Sequence, residues 1–283
     1  MAIARHDTGV GSAWRALASQ VHPVFMLPPV ASSLFGGFVS GEFSLAYAGL
    51  HVIAAFAGLY TAHVKDGYVD FYLRGEDESH PLTAYGCKVA IGLASAVFLV
   101  TAVAIGIVVG PVAAAITLPG WFIGYLHAPQ FDMNPITATI GYPSGVGLAM
   151  IGGCYVQVQT ITPPTIGYAF VFTTILIGMK TIDDAKDYEY DRSIGKRTVA
   201  VVLGRRRSRQ VAYVCMGIGL SLTALLAGIG LFPVGAALGV PLFGSVAAFT
   251  VAAGPERSTM LLIRASYVFL AVLVATAWFR PLS

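Results

Sequence analysis

Carboxylates that could act together are concentrated in two short parts of the sequence. Ten of the 14 acidic residues lie in residues 66–78, the first acidic window, or in residues 183–191, the second acidic window. Asp66 and Asp70 are four residues apart, and Asp183, Asp187 and Asp191 repeat that spacing. Because residues four apart share one face of a helix, each window is expected to present several negative charges together.

Such a face needs a positive partner, because like charges at this spacing destabilise a helix by about 0.2–0.5 kcal/mol per pair. Mg²⁺ prefers oxygen ligands and binds through few carboxylates, sharing its coordination shell with water and substrate phosphates. Two acidic windows at one end of a helical bundle therefore predict a site for Mg²⁺ and a diphosphate. The alternative is a pair of solvated acidic loops, which is the usual explanation of a charge run.

The elements that must position these windows are predicted to be membrane-spanning helices. Apolar residues make up 56% of the 283 and charged residues 11%, against about 25% charged in an ordinary soluble domain. A spanning helix needs about 20 mostly apolar residues. Nine segments meet this requirement, so we expect an all-α, polytopic membrane protein that forms a single transmembrane domain over residues 1–283. These segments are residues 22–41, 44–64, 84–109, 112–128, 136–157, 162–182, 209–231, 233–252 and 259–280.

Lys and Arg occur at the N-terminus and in the loops after the second and sixth segments, whereas the alternate loops contain none. Cytoplasmic loops carry the excess of these residues, so we expect a cell-membrane protein with both windows on the cytoplasmic side and Ser283 outside. The net charge of +3 is too small to indicate a nucleic-acid partner. The N-terminal residues lack a continuous apolar region, so no signal peptide is expected.

The stretch Asp183–Gly204 resembles the second aspartate motif of the UbiA superfamily of intramembrane prenyltransferases, including its Gly-Lys-Arg-Thr and the following Leu-Gly. Asp66 and Asp70 are similar to the last two aspartates of the family's other motif. His80–Leu82 is similar to the Arg-Pro-Leu segment that follows that motif. The resemblance spans essentially the whole chain, and it implies a UbiA-like bundle of nine helices.

In that family an allylic prenyl diphosphate binds through Mg²⁺ to both motifs and ionises to a carbocation, which alkylates an acceptor. The resemblance therefore implies Mg²⁺-dependent transfer of a prenyl group to a lipid-soluble acceptor within the membrane. An aromatic ring, a glycerol-phosphate lipid and a polyene are the acceptor classes we consider. The metal ligands implied are Asp66, Asp70, Asp183, Asp184, Asp187 and Asp191.

Basic residues near the windows are candidates to bind the diphosphate. Lys180 lies three and four residues before Asp183 and Asp184, so it can reach the same site on a helix. Its alternative role is to extend its charge to the lipid headgroups, and the alternative role of Lys196 and Arg197 is to anchor the cytoplasmic side of the chain at the membrane. The candidate set for the diphosphate is Arg74, Lys180, Lys196 and Arg197.

His63 lies one turn before Asp66, at a position where the family has a carboxylate. It is a candidate base for the acceptor or a hydrogen-bond partner of the diphosphate, and a packed histidine is the alternative. Aromatic side chains could line an apolar channel and stabilise a cation; the candidates are Tyr60, Tyr68, Phe122, Tyr125, Tyr142 and Phe170. The expected catalytic set is His63, Asp66, Asp70, Lys180, Asp183 and Asp187.

Two departures from the family pattern keep a second hypothesis open. Ala62 and His63 replace the usual Asn-Asp, and Asp132–Asn134 replace an expected basic residue. Fewer ligands then face the diphosphate, so a UbiA-type terpene cyclase, which needs no acceptor, is the alternative enzyme. A transporter or a non-catalytic lipid-binding protein is a third hypothesis. The clustering of carboxylates at one membrane face, rather than at the midplane, argues against it.

Overall fold

The computed structural model describes residues 2–6 and 8–279, which fold almost entirely into helices. One isolated β-bridge, between Ala4 and Leu82, is the only β-pairing in this part of the chain. Two π-helical segments, Val69–Arg74 and His127–Phe131, and a 3₁₀ segment, Val234–Leu238, adjoin α-helices. The α-helices are α1 (Val10–Ala18), α2 (Pro23–Val39), α3 (Leu45–Tyr68), α4 (Ala84–Val108), α5 (Pro111–Leu126), α6 (Pro135–Val158), α7 (Pro163–Lys186), α8 (Tyr188–Ser193), α9 (Val199–Leu203), α10 (Arg205–Gly228), α11 (Gly239–Thr250) and α12 (Pro255–Trp278).

Each of the nine predicted segments contains a helix, so the all-α prediction is confirmed. Segments one to six correspond to α2–α7, and the last three correspond to α10, to α11 with its 3₁₀ segment, and to α12. Among the described residues, five helical stretches are long and apolar enough to cross a membrane, and α1 with α2 makes a sixth if that bent pair counts as one span. Nine crossings therefore remain a prediction, and Ser283 lies outside the described residues.

Several helices extend beyond the predicted segments; α7 ends at Lys186 instead of residue 182, and α12 begins at Pro255 instead of residue 259. Helical backbone from α3 continues to Arg74 instead of ending at residue 64, and α10 begins at Arg205 instead of residue 209. Hydropathy marks the part of a helix that lies in lipid, whereas breakers and caps set its ends. For α3 and α10 these ends are Gly75 and Gly204, which have φ values of 65° and 79°, a conformation that glycine adopts readily.

The described residues form two compact units. The first unit comprises Met1–Phe131 and Leu148–Thr160. Within it, α3 packs against α2, α4 and α5, and Ala54, Phe98, Ala113 and Val156 contribute to one apolar core. A Cβ atom on Gly36 of α2 would overlap the Met150 carbonyl of α6, so only glycine permits this close approach of the two backbones.

The second unit comprises Asp132–Gly147 and Ile161–Ser283. Its central element is α7, which packs along α10 and also contacts α12. The rings of Tyr168 and Phe232 stack with centroids 3.7 Å apart. The stack lies near the start of α7, and the packing of α7 along α10 positions the rest of the helix up to the second acidic window.

Candidate active site

The first acidic window begins at the end of α3 in the first unit. α3 continues as the π-helical segment Val69–Arg74, so Asp66 and Asp70 both lie on helical backbone and both are half-buried. Arg74 Nη1 lies 3.1 Å from Asp70 Oδ1. The N–H group of Gly75 donates to the carbonyl oxygen of Asp70 and ends the helix. The helical position predicted for Asp66 and Asp70 is therefore confirmed, and Arg74 supplies a cation to this window.

His63 lies on α3 one turn before Asp66 and contacts a second imidazole. The ring centroid of His22, the residue that precedes α2, is 4.4 Å from that of His63. His63 is half-buried and His22 is exposed. This contact joins the start of α2 to the beginning of the first window.

In the second unit, Lys180 holds two carboxylates at the end of α7. Its Nζ lies 2.5 Å from Asp184 Oδ1 and 3.9 Å from Asp183 Oδ2, so the predicted reach of Lys180 is confirmed. Asp184 is only 4% exposed, and its Oδ2 has no hydrogen-bond partner within the described residues. An unsatisfied buried carboxylate oxygen is costly, so this atom is suited to a ligand or cation.

Asp187 breaks the helix that was predicted to carry the whole second window. It lies between the end of α7 and the start of α8, with φ −93° and ψ 14°. Its side chain is 50% exposed, and Lys186 Nζ lies 3.5 Å from Asp187 Oδ2 and 3.3 Å from Asp183 Oδ1. The prediction of one continuous helix face for Asp183, Asp187 and Asp191 is wrong, because the chain turns at the middle residue.

Asp191 is buried, with an exposed fraction of 2%. Burial raises the pKa of its carboxyl above the usual range, and the nearby ammonium of Lys196 opposes that rise. Lys196 Nζ lies 3.6 Å from Asp191 Oδ1. Gly195 has φ 73°, and the turn lets the Lys196 N–H donate to the Asp191 carbonyl. Thr198 then caps α9 by accepting from the Val201 N–H, so the Gly-Lys-Arg-Thr sequence places Lys196 beside Asp191.

The tyrosines predicted to line an apolar channel have different surroundings. The Tyr60 hydroxyl donates to the Leu17 carbonyl oxygen at 2.8 Å, and Lys65 Nζ lies 4.1 Å from the centre of the Tyr125 ring. The lining role stays a prediction for Tyr60, Tyr68, Tyr125 and Tyr142.

Four candidate side chains outside the acidic windows are exposed, namely Phe122, Tyr125, Phe170 and Arg197. The two phenylalanines lie on apolar helices, where exposure suits contact with lipid better than a channel lining. Within the part of the chain that the structure describes, Arg197 has no ion pair with an acidic side chain. Its role in diphosphate binding stays a prediction.

His80 was not singled out from the sequence as a candidate site residue. His80 is buried, and its Nδ1 accepts from the Leu82 N–H at 3.2 Å. Its Nε2 has no hydrogen-bond partner among the described residues and faces Gly67, where a Cβ atom would lie 2.8 Å away. The available signal was the histidine in place of arginine in His80–Leu82, which lies close to the first window.

A model of the UbiA prenyltransferase family matches residues 87–273, which is more than half of the chain. The chain belongs to the UbiA prenyltransferase family. The match includes the second acidic window and leaves out the first, in keeping with the incomplete likeness of Asp66 and Asp70 to the family's first motif. A comparison with curated proteins found no match.

Solved structures of UbiA homologues share this fold over nearly their whole length. A structure reported for digeranylgeranylglyceryl phosphate synthase in membranes is 13% identical, with a TM-score of 0.72 and coverage of 93% of this chain and 99% of that one. A homologue from Archaeoglobus fulgidus bound to GPP and Mg²⁺ is 17% identical, with TM-score 0.64 and coverage of 94% and 99%. The apo homologue from Aeropyrum pernix K1 is 16% identical, with TM-score 0.70 and coverage of 90% and 98%. The predicted UbiA-like fold is therefore confirmed.

The carboxylates of this UbiA-family chain fit a divalent metal by the type of their ligand atoms. Within residues 2–6 and 8–279, no three His, Cys, Asp or Glu side chains are grouped so that they could hold a metal ion. Mg²⁺ does not need such a group, because water and substrate phosphates complete its coordination shell. The buried Asp184 Oδ2, which lacks a hydrogen-bond partner among these residues, is the ligand atom that best fits.

Proposed function

We propose that this chain is a single prenyltransferase domain, residues 1–283, that transfers a prenyl group from an allylic isoprenyl diphosphate to a lipid-soluble acceptor. Membership of the UbiA prenyltransferase family supports prenyl transfer as the type of reaction. The observation that carries the proposal for this chain is the Lys180–Asp184 pair. It combines a cation with a buried carboxylate oxygen that lacks a hydrogen-bond partner among the described residues.

Both acidic windows are proposed to act on the same diphosphate. Bound Mg²⁺ would offset the negative charge that develops on the departing diphosphate. Asp184 and Asp191 are buried, and Lys180 and Lys196 beside them favour the charged carboxylates at positions where solvent screens charge least. Asp183 and Asp187 lie beside Lys186, which must give up part of this contact when a cation binds. The proposed metal-binding set is Asp66, Asp70, Asp183, Asp184, Asp187 and Asp191.

Four basic side chains are proposed to bind the diphosphate and to stabilise its charge as the C–O bond breaks. Lys180 and Lys196 are each close to a buried aspartate, so the protein already fixes their positions. Arg74 is fixed by its ion pair with Asp70. Arg197 is exposed, so we place it at the edge of the binding region, where it contacts the diphosphate from solvent.

Transfer to an acceptor O–H or aromatic C–H group releases one proton for each new bond. We propose that His63 accepts that proton, because it lies one turn before Asp66 and is half-buried. The contact between the His63 and His22 rings would orient the imidazole. A low-polarity surrounding protects the carbocation from water, and the tyrosines at 60, 68, 125 and 142 are proposed to contribute to it.

The proposed setting is the cell membrane, with both acidic windows at the cytoplasmic face. The prenyl donor, the acceptor and membrane lipid are then the partners. This orientation rests on the distribution of Lys and Arg between alternate loops.

The proposal is tested with the purified chain in lipid nanodiscs. Geranyl, farnesyl and geranylgeranyl diphosphates are supplied in turn, with Mg²⁺ or with EDTA, and released diphosphate is measured with and without a membrane lipid extract from the source cells. We expect Mg²⁺-dependent release that the lipid extract stimulates. No release from any donor contradicts the proposal, and undiminished release without an acceptor, accompanied by a cyclic product, indicates a terpene cyclase instead.

A further inference from the structure

The first helix has an exposed apolar stripe that the proposed reaction does not use. Val10 is 88% exposed and Trp14 is 72% exposed, and Ala18 is also exposed. These three residues are four apart along α1, so they share one side of the helix. An exposed tryptophan beside other apolar side chains marks an interaction surface.

The remaining sides of α1 are different in character. Ala16 is buried and Leu17 packs beside it against the apolar core of the first unit. Gly11 and Arg15 lie on the exposed side next to the apolar stripe, and Arg15 Nη2 donates to Ser12 Oγ at 3.2 Å. The helix therefore has one side against protein, one apolar exposed side and one polar exposed side. A helix at a membrane surface has this arrangement.

The position of α1 in the chain identifies the surface that the stripe meets. α1 and α2 are bent by 70° at the short connection between them. The first turns of α2 expose Val24, Phe25 and Leu27, so the apolar exposed surface continues from one helix to the next. If α2 enters the bilayer, a bend of this size leaves α1 close to the membrane plane.

We propose that α1 docks in the interface of the bilayer that α2 enters. Val10, Trp14 and Ala18 insert among the upper parts of the lipid chains, and Arg15 lies at the level of the phosphate groups. Tryptophan is enriched at this depth because its ring is apolar and its N–H is a donor. Interfacial helices of this kind insert their apolar side about 5–10 Å into the headgroup boundary.

This docking has a structural consequence for the first acidic window. The last turn of α1 and the chain that follows it each contact α3 once, the first through the Leu17 carbonyl, which accepts from the Tyr60 hydroxyl, and the second through the paired rings of His22 and His63. Lipid contact by α1 therefore holds this connection against α3, one turn before Asp66.

The test uses Trp14 as its own reporter, since the chain has only three tryptophans. The variant W121F/W278F keeps Trp14 alone, and W14F/W121F keeps Trp278 at the end of the apolar helix α12 as a bilayer reference. Both are placed in nanodiscs of ordinary or dibrominated phosphatidylcholine. We expect brominated lipid to quench most of the Trp14 emission. Aqueous iodide should quench little of it, as we expect for Trp278.

Emission that iodide quenches and brominated lipid does not would overturn the proposal, because Trp14 would then face water. The proposal is also overturned if the Trp14 emission depends on the number of chains in each nanodisc and not on bromination of the lipid. A second copy of the chain would then cover the apolar stripe. In the Trp14-only background, V10S/A18S should lose most of the bromolipid quenching. Gly11→Ser, on the polar side where a Cβ would meet only Arg15 Nη1 at 4.0 Å, should retain it.

Discussion

Replacing Asp184 with Asn tests the most specific feature of the proposed site. The substitution keeps the size of the side chain but removes the charge that faces Lys180 at 2.5 Å. Because Asp184 is only 4% exposed, an effective dielectric constant of about 20 applies. At that value, the attraction between its negative charge and a unit positive charge about 4 Å away is about 4 kcal/mol. Since about 1.4 kcal/mol corresponds to a tenfold change in rate, we expect the rate of diphosphate release to fall about a thousandfold.

The matched control is Glu189→Gln, which removes a carboxylate from the same acidic window. Glu189 is 71% exposed and lies 3.5 Å from Arg205, so solvent screens its charge, and we expect the rate to change less than about threefold. Both variants are compared in nanodiscs at saturating Mg²⁺, with thermal unfolding as a check of folding. An Asp184→Asn variant with more than about a tenth of the parent rate, or equal losses in both variants, would refute the reasoning.

Three further predictions concern the metal and the packing. Removing Mg²⁺ with EDTA should abolish diphosphate release, and adding Mg²⁺ should restore it; release that persists in EDTA contradicts metal dependence. Asp66→Ala should retain measurable release and Asp183→Ala should not, since four of the six proposed metal ligands lie in the second window and two in the first; the reverse order at matched expression would show that the first window dominates. Gly36→Ala should destabilise the first unit by about 1–3 kcal/mol, because the added Cβ overlaps the Met150 carbonyl. Gly49→Ala, where a Cβ has open space, should leave the melting temperature nearly unchanged.

The helices of this chain could be predicted from the sequence because lipid imposes a simple requirement. A helix that crosses a bilayer must be apolar over about 20 residues, and this pattern located α4, predicted at 84–109 and observed at Ala84–Val108, almost to the residue. The same rule missed the first turn of α10, because Arg205–Arg207 are polar yet helical. Polarity marks the edge of the lipid, and it does not end a helix.

The contacts within the site were predictable only where they are local. Lys180 and Asp184 are four residues apart on one helix, so spacing alone brought them together. The break at Asp187 has no glycine or proline beside it to signal it. The contact of His22 with His63 joins residues far apart in the chain, so it depends on tertiary packing that periodicity does not encode.

The central claim is that this chain makes a bond between a prenyl C1 atom and an acceptor. The most direct measurement supplies prenyl diphosphate labelled at C1, together with Mg²⁺ and the lipid extract, and follows the label by mass spectrometry alongside released diphosphate. The account predicts one diphosphate released for each labelled C1 bonded to an acceptor molecule, with no such product when the extract is omitted. Label recovered only in a cyclic hydrocarbon or in the free prenyl alcohol would contradict prenyl transfer.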